Sequence, residues 1–473
     1  MVYGGVGRVS VMVAGSPEKA GARPRGDDPE ELTALGEPAE AADHELEEFR
    51  YQVEDLDEED SSGSGSEPPD DGRPRPTVYR KELPEDLIDP DAAKVVRRLV
   101  RQGYEAYLVG GCVRDLLLER RPKDFDVCTN ARPDDVRRLF RNSRVIGRRF
   151  RLVHVLFGGG KVIETATFRR APDAEEERGS EDLLIRNDNV FGEAHQDARR
   201  RDFTINALFY DVDRGEVLDW VGGMPDIERR AVHTIGKPLV RFLEDPVRIL
   251  RAIKFSAKLD LGITPETYDA IVEARKALAR AAKPRLFEEI LRLMREGAAH
   301  RALFLCYETG VLDVLLPELS TFLADRDEDD DRVWLLLQEV DRRTLENGPL
   351  DDVVLWTVLL SEPLREACDG ARDRVEMAHE FLEGVVDRLN VPRRIAESIR
   401  RIVALMPRLE SGRGGRFSRT PLYPVAMEVL DIYRAALGDA AEGAFDAPEG
   451  PSDNAAITST GERRPRRRRR RRR

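Results

Sequence analysis

The strongest constraint on this chain is a change of hydrophobic period near its middle. Up to Asp211 the apolar residues come in short runs, YEAYLVGG, FDVCT, LVHVLFGGG and KVIETATF, rich in Val, Ile, Phe and Thr and bounded by glycines and polar turns. Runs of that kind are strands. From Glu244 to about Leu437 the apolar residues instead recur three or four apart, as in DPVRILRAIKFSAKL, PETYDAIVEARKALA, RLFEEILRLMREG and DDVVLWTVLL. That spacing lays them on one face of a helix. The expected fold class is therefore α+β, a mixed-sheet domain at about 78–235 followed by an all-α region at 236–438. Within the first domain DPDAAKVVRRLVRQG reads as a helix with Asp91 as N-cap and Gly103 as its stop.

The flanks are of another kind. Residues 27–71 hold 19 acidic residues against one basic, and residues 463–473 hold ten arginines and no acid. Like charge with little hydrophobicity cannot offset the entropy of ordering, so 1–77 and 439–473 are expected to be disordered. The formal net charge of -13 is thus an average over segments that behave oppositely. Residues 73–170 carry 23 basic against 13 acidic side chains, a balance that suits triphosphate and RNA backbone. No apolar run is long enough to span a membrane and MVYGGVGRVSVMVAG lacks the apolar stretch of a secretory signal. Four cysteines in no C-x-x-C pair argue against a disulfide framework or a thiolate zinc site, which leaves the cytoplasm as the expected compartment.

Chemistry concentrates in four places. In KDFDVCT, Asp124 and Asp126 are two apart on an extended segment, so both carboxylates share a face and repel unless a cation lies between them. Oxygen ligands of that type suit Mg²⁺, which takes carboxylates together with substrate phosphates; a solvated edge strand is the plain alternative. Upstream, YLVGGCVRDLLL runs a strand through Gly110 and Gly111 into a helix, an arrangement that brings backbone N–H groups to a phosphate, with Arg114 in the first turn to pair with it or with Asp115 or Asp124. ARRRDFTINAL offers Arg200 or Arg201 and Asp202 ahead of an alternating run, with Phe203, Ile205 and Ala207 opposite Thr204 and Asn206. Glu164 in KVIETATF is a further candidate for a third carboxylate, or a partner for Arg169. Finally, EDPVRILRAIKF reads as a helix start with Asp245 as N-cap, Pro246 at the first position, and Arg248 and Arg251 along one polar face.

Together LVGGCVRDLLL, KDFDV, RRRDFTINALFYD and RFLEDPVRILRAIKF, in this order over roughly 79–300, resemble the class II template-independent RNA nucleotidyltransferases, bacterial poly(A) polymerases and CCA-adding enzymes, of the DNA polymerase beta superfamily. The resemblance implies a nucleotidyltransferase (DNA polymerase beta-like) domain in which Asp124 and Asp126 hold two Mg²⁺ ions. It implies Arg201 and Asp202 beside the nucleotide, Asp202 counted with the catalytic acids. Gly110, Gly111 and Arg114 would anchor the triphosphate; Asp245 and Arg248, positioned by Glu244 and joined by Arg251, would read the incoming base.

GRRFRLVHVLFG and the polyarginine end are similar to the poly(A) polymerase branch. The expected activity is therefore addition of AMP from ATP to RNA 3′ ends, an mRNA polyadenylation that promotes turnover, with the helical half carrying the RNA. A CCA-adding enzyme is the first alternative and a non-catalytic RNA-binding protein the second. No His-Asp dipeptide occurs, so a fused HD-type phosphohydrolase domain is not expected.

Overall fold

The computed structural model describes residues 74–147, 151–170, 190–326, 331–412 and 415–438. The chain divides into Met1–Gly72 and Arg73–Arg473, and everything below concerns the second unit. The two flanks expected to be disordered fall outside the described residues, apart from 74–77.

Among the described residues one sheet has eight strands: β1 (Thr77–Arg80), β2 (Ala106–Val109), β3 (Asp126–Thr129), β4 (Ser143–Ile146), β5 (Leu152–Leu156), β6 (Val162–Thr167), β7 (Phe209–Asp211) and β8 (Glu216–Asp219). Across the sheet they run β1-β8-β7-β2-β3-β6-β5-β4. β3 and β6 pair in parallel and the other neighbours are antiparallel, so the sheet is mixed as expected.

Both faces are covered, because alternate residues point to opposite sides. Leu108 and Val127 join the main core, whereas Val109 and Cys128 join a smaller core on the other face with Phe168, Ala198 and Phe209. Against the sheet lie α1 (Pro90–Arg101), α2 (Gly111–Leu117), α3 (Pro133–Leu139), α4 (Ala194–Arg199) and α5 (Gly223–Glu228).

The helical half follows: α6 (Pro238–Glu244), α7 (Val247–Leu259), α8 (Pro265–Ala274), α9 (Lys283–Met294), α10 (Ala299–Glu308), α11 (Val311–Leu315), α12 (Pro317–Ala324), α13 (Arg332–Asn347), α14 (Asp352–Ala367), α15 (Arg374–Leu389), α16 (Arg393–Glu410) and α17 (Leu422–Leu437). α7 is buried nearly all round, including Arg248, Lys254 and Ser256, because α9 and α10 pack on it. Its buried ammonium, Lys254, lies 3.6 Å from Glu289 of α9. The main core runs from Leu83 to Tyr433 without a break, so sheet and helices share one interior.

Three local expectations are corrected. Helix α1 is capped by Asp89, not Asp91: Asp89 Oδ1 accepts from the backbone N–H of Asp91 and Ala92 while Pro90 takes the first helical position. Asp245 caps nothing with its side chain, because its carboxylate is drawn to Arg285 on α9 and Pro246 precedes the first residue of α7. The run 203–207 is a turn of 3₁₀ helix over Thr204–Asn206 and not an alternating strand. Its polar side chains have no need to face water, since Thr204 donates to Asp226 at 2.5 Å and Asn206 is hydrogen-bonded inside the protein.

Asp89 also receives Lys161 Nζ at 2.6 Å, so one side chain both caps α1 and fixes the turn into β6. Asp89→Ala is expected to lower the unfolding free energy by about 1 kcal/mol, as measured by urea denaturation. A loss near zero would mean that Asp91 takes over the cap.

Candidate active site

Parallel pairing of β3 with β6 sets Asp126 directly beside Glu164. The antiparallel register of β6 with β5 places His154 next in the same row. Neighbours in register point to the same face, so Asp126, Glu164 and His154 line up across three strands. His154 Nε2 lies 3.3 Å from Glu164 Oε1. Asp124 is exposed just ahead of β3, one pleat from Asp126. Desolvation first, and then the charge of Glu164, push the Asp126 carboxyl up to about 6; Arg201 opposes this and Asp124 adds to it. A carboxylate pushed up by its like-charged neighbours is one that gains from a cation.

The donor chemistry of Asp124 and Asp126 thus fits Mg²⁺. Among the described residues no group of three or more carboxylate, imidazole or thiolate side chains forms a ready-made metal cage. Two carboxylates would then hold Mg²⁺ only together with water or phosphate oxygens, its usual arrangement in phosphoryl transfer.

A cationic shelf lies on the same face. The side chain of Asp197, fully buried in α4, accepts from Arg200 through Oδ1 at 2.8 and 2.9 Å and from Arg201 through Oδ2 at 2.9 and 3.1 Å. Burial alone would raise this carboxyl, but Arg201 and Arg200 hold it below its ordinary value. Arg201 also donates Nη1 to the Asn206 carbonyl at 3.1 Å and lies over the Phe209 ring. Its charge reaches Asp126.

Gly110 closes the shelf from below. It has φ +73°, and a Cβ there would stand 3.0 Å from Arg201 Nη1, so only glycine lets that guanidinium lie against the backbone. Gly111 starts α2 with ordinary backbone geometry, and a Cβ there meets only Arg114, at 3.6 Å.

Arg114 and Asp202 are placed differently. Arg114 is buried, donating to Asp115 at 2.6 and 2.9 Å and to Asn206 Oδ1 at 2.6 Å, with its guanidinium 5.0 Å from the Phe255 ring centroid. It faces inward, and of the pairings open to it the structure selects Asp115. Asp202 accepts from the Phe203 N–H, from Asn206 Nδ2 and from Arg251, whose Nη2 approaches to 2.5 Å. Arg251 too lies over Phe255. Asp126 and Glu164 are direct neighbours in the sheet, and Asp202 ties the Arg-Arg-Asp loop to α7. Burial would raise the Asp202 carboxyl, yet Arg251 and Asn206 hold it below its ordinary value. Its contribution to stability is present above the ordinary carboxylate range and is lost as pH falls through the lowered value.

The remaining pair stands where α6 meets α7. Arg248 donates Nη1 to Glu244 and to the Arg241 carbonyl, both at 3.0 Å, while Arg241 donates to Glu244 at 2.6 Å. Arg241 Nη2 reaches the Arg200 and Arg201 carbonyls at 2.8 and 2.7 Å, which joins this corner to the cationic shelf. Arg285 grips Asp245 with two parallel bonds of 2.9 and 3.1 Å. Sequence reasoning missed Asp197, Asn206, Arg241, Arg285 and His154. Asp197 had a local signal in its spacing of three and four from Arg200 and Arg201, as did Arg241, three from Glu244, and Asn206, four from Asp202.

Comparison with known proteins identifies the family. Residues 106–233 match the poly A polymerase head domain, and residues 260–323 match a domain described as the probable RNA and SrmB-binding site of polymerase A. Poly(A) polymerase I of Salmonella typhimurium is 37% identical over 383 residues, 76% of this chain and 82% of that protein. The chain belongs to the poly(A) polymerase family. It is a nucleotidyltransferase. Poly(A) polymerase I of Haemophilus influenzae is likewise 37% identical, over 72% of this chain. The CCA-adding enzyme of Geobacillus stearothermophilus reaches the same 37%, but over 49% of this chain and 55% of its own length. An apo CCA-adding enzyme shares the fold, with a TM-score of 0.55 at 22% identity over 76% of this chain and 83% of that one.

Two outcomes follow from this geometry. Gly110→Ala should lose more than about 1 kcal/mol of stability and raise KM for the nucleotide, whereas Gly111→Ala is tolerated, as thermal unfolding and steady-state kinetics will report. In protein stripped of divalent cations, carbon-13 NMR should show Asp126 titrating near 6, and Glu164→Gln should lower that value. Because the fold raises this carboxyl, its own contribution to stability grows as pH drops below about 6 and is lost as pH rises through it. An unchanged Asp126 titration in Glu164→Gln would remove Glu164 from the site.

Proposed function

We propose that this protein is a poly(A) polymerase, transferring AMP from ATP to the 3′-hydroxyl of RNA, releasing pyrophosphate and repeating without a template. The observation that carries the choice is extent. At equal identity, the poly(A) polymerases align along 76% of the chain and most of their own length, and the CCA-adding enzyme along 49% and 55%. The likeness to poly(A) polymerases therefore extends over more of the chain than the likeness to the CCA-adding enzyme.

In this reading Asp124 and Asp126 hold Mg²⁺, with Glu164 beside them. When bound, Mg²⁺ supplies a more acidic 3′-hydroxyl and a neutralised triphosphate leaving group. Arg201, held by Asp197 against Gly110, contacts the triphosphate; Gly111 leaves room for it on the backbone. Arg114, Asp202 and Arg251 position the parts around the nucleotide. Asp245 and Arg248 face the adenine edge, an acceptor for the exocyclic amine and a donor for the ring nitrogen. A carboxylate has about four lone-pair sites, so the grip of Arg285 on Asp245 leaves acceptors for a base. RNA 3′ ends and ATP are the partners, and the helical half carries the RNA. Four free, buried cysteines and the absence, among the described residues, of any helix long and apolar enough to cross a membrane support a cytoplasmic setting.

The CCA-adding reading remains the rival, because those enzymes share the head and the fold. Purified protein given unstructured RNA and each nucleoside triphosphate singly should build long tracts from ATP alone. Ordered addition of C, C and A restricted to tRNA would overturn the proposal. Asp124→Ala should abolish extension while retaining RNA binding; extension at the parental rate would remove Asp124 from the metal site.

A further inference from the structure

One surface patch of the helical half has no part in the site described. His300, Phe304 and Tyr307 follow one another along α10, and all three rings meet Trp334 of α13, at centroid distances of 5.9, 5.5 and 6.2 Å. Phe304 is 45% exposed and Leu335, beside Trp334, is 39% exposed, although aromatic side chains of this size are normally covered. Glu308, one helical turn beyond Phe304, is exposed, as is Asp331, whose charge reaches His300. Arg301, the cation on this stretch of α10, is bound to Asp260. The patch is therefore aromatic with an acidic border. Phosphate would be repelled there. A guanidinium would be held twice, by ring faces and by carboxylates.

The chain itself supplies such groups. Helix α17 packs along α13. Near its end, Tyr433 donates to Glu362 Oε1 at 2.8 Å, while Arg332, the first residue of α13, approaches Oε2 of the same carboxylate at 3.2 Å. Helix α17 thus runs along α13 from the Arg343 side, where Arg343 Nη2 donates to the Asp431 carbonyl at 3.1 Å, toward the Arg332 side. Beyond Gly438 the sequence runs on for 35 residues and closes with Arg466–Arg473. A chain of the intervening length can extend to on the order of 90 Å, enough to reach round one helix end. Tethering also raises the local concentration of the arginines to about millimolar.

We propose that the terminal arginines of this chain dock on the Phe304–Tyr307–Trp334 patch, and that RNA draws them away. This goes beyond the polymerase reading. The tail is then a store of positive charge that is masked until RNA arrives.

The test is a binding cycle in the full chain, carried in the Asp124→Ala background so that catalysis does not enter. Affinity for a single-stranded RNA is measured at about 50 mM salt for Phe304→Ser and its parent, each with the native tail and with Arg466–Arg473 replaced by glutamine. Releasing the tail should tighten RNA binding about threefold or more in Phe304→Ser with the native tail, and change nothing with the glutamine tail. Leu335→Ser, at a second exposed position, should repeat the pattern. Weaker binding in both tail backgrounds would make the patch an RNA surface and overturn the proposal. No change with the native tail would overturn it as well.

Discussion

The ion pair between Asp202 and Arg251 is the joint on which the rest of this structure depends. Asp202 stands on the loop that carries the arginine shelf, and Arg251 on α7, the helix that opens the helical half. Around them the contacts close into a ring: Arg114 to Asn206, Asn206 to Asp202, Asp202 to Arg251, with Arg114 and Arg251 both against Phe255. Arg114 and Asn206 are buried, and both arginines are pressed on the face of Phe255. Removing one partner leaves another charge uncompensated, a loss on the order of 3 kcal/mol for well-buried pairs. Through this ring the sheet with its carboxylates and α7 keep one relative position.

A second constraint is the balance of charge on the sheet face. Burial and the charge of Glu164 push Asp126 toward protonation, while Arg201 holds it back. Arg201 in turn is neutralised from behind by Asp197 and steadied by the face of Phe209. The site thus sets two neighbouring carboxylates against one arginine that Asp197 backs, with Gly110 leaving room for its guanidinium.

Much of this was legible in the sequence. The change of period from strand-like runs to helical spacing gave the α+β organisation, and the pairing of Asp124 with Asp126 followed from the alternation of an extended segment. What stayed hidden was non-local. Asp202 in ARRRDF reads as a catalytic acid by position, but its partner is forty-nine residues on and nothing nearby announces Arg251. Arg114 looked poised for a ligand until burial against Phe255 turned it inward. Asp245 fits the pattern of a helix cap, and a distant arginine outbid the backbone for it. Conversely the tie between Asp197 and its two arginines was written locally, at helical spacing.

The parallel strand pair has a further consequence, for folding. Asp126 and Glu164 meet only because β3 and β6 align in one register, and α3, β4 and β5 lie between them in the chain. A slip of one residue would send Glu164 to the opposite face of the sheet. Closing such a loop is entropically expensive and comes late, so the nascent chain passes through its sheet-forming stages with the acidic centre still in two pieces. The meeting of Asp126 with Glu164 is therefore a property that appears only with the finished sheet, and it can serve as a reporter of when that sheet closes.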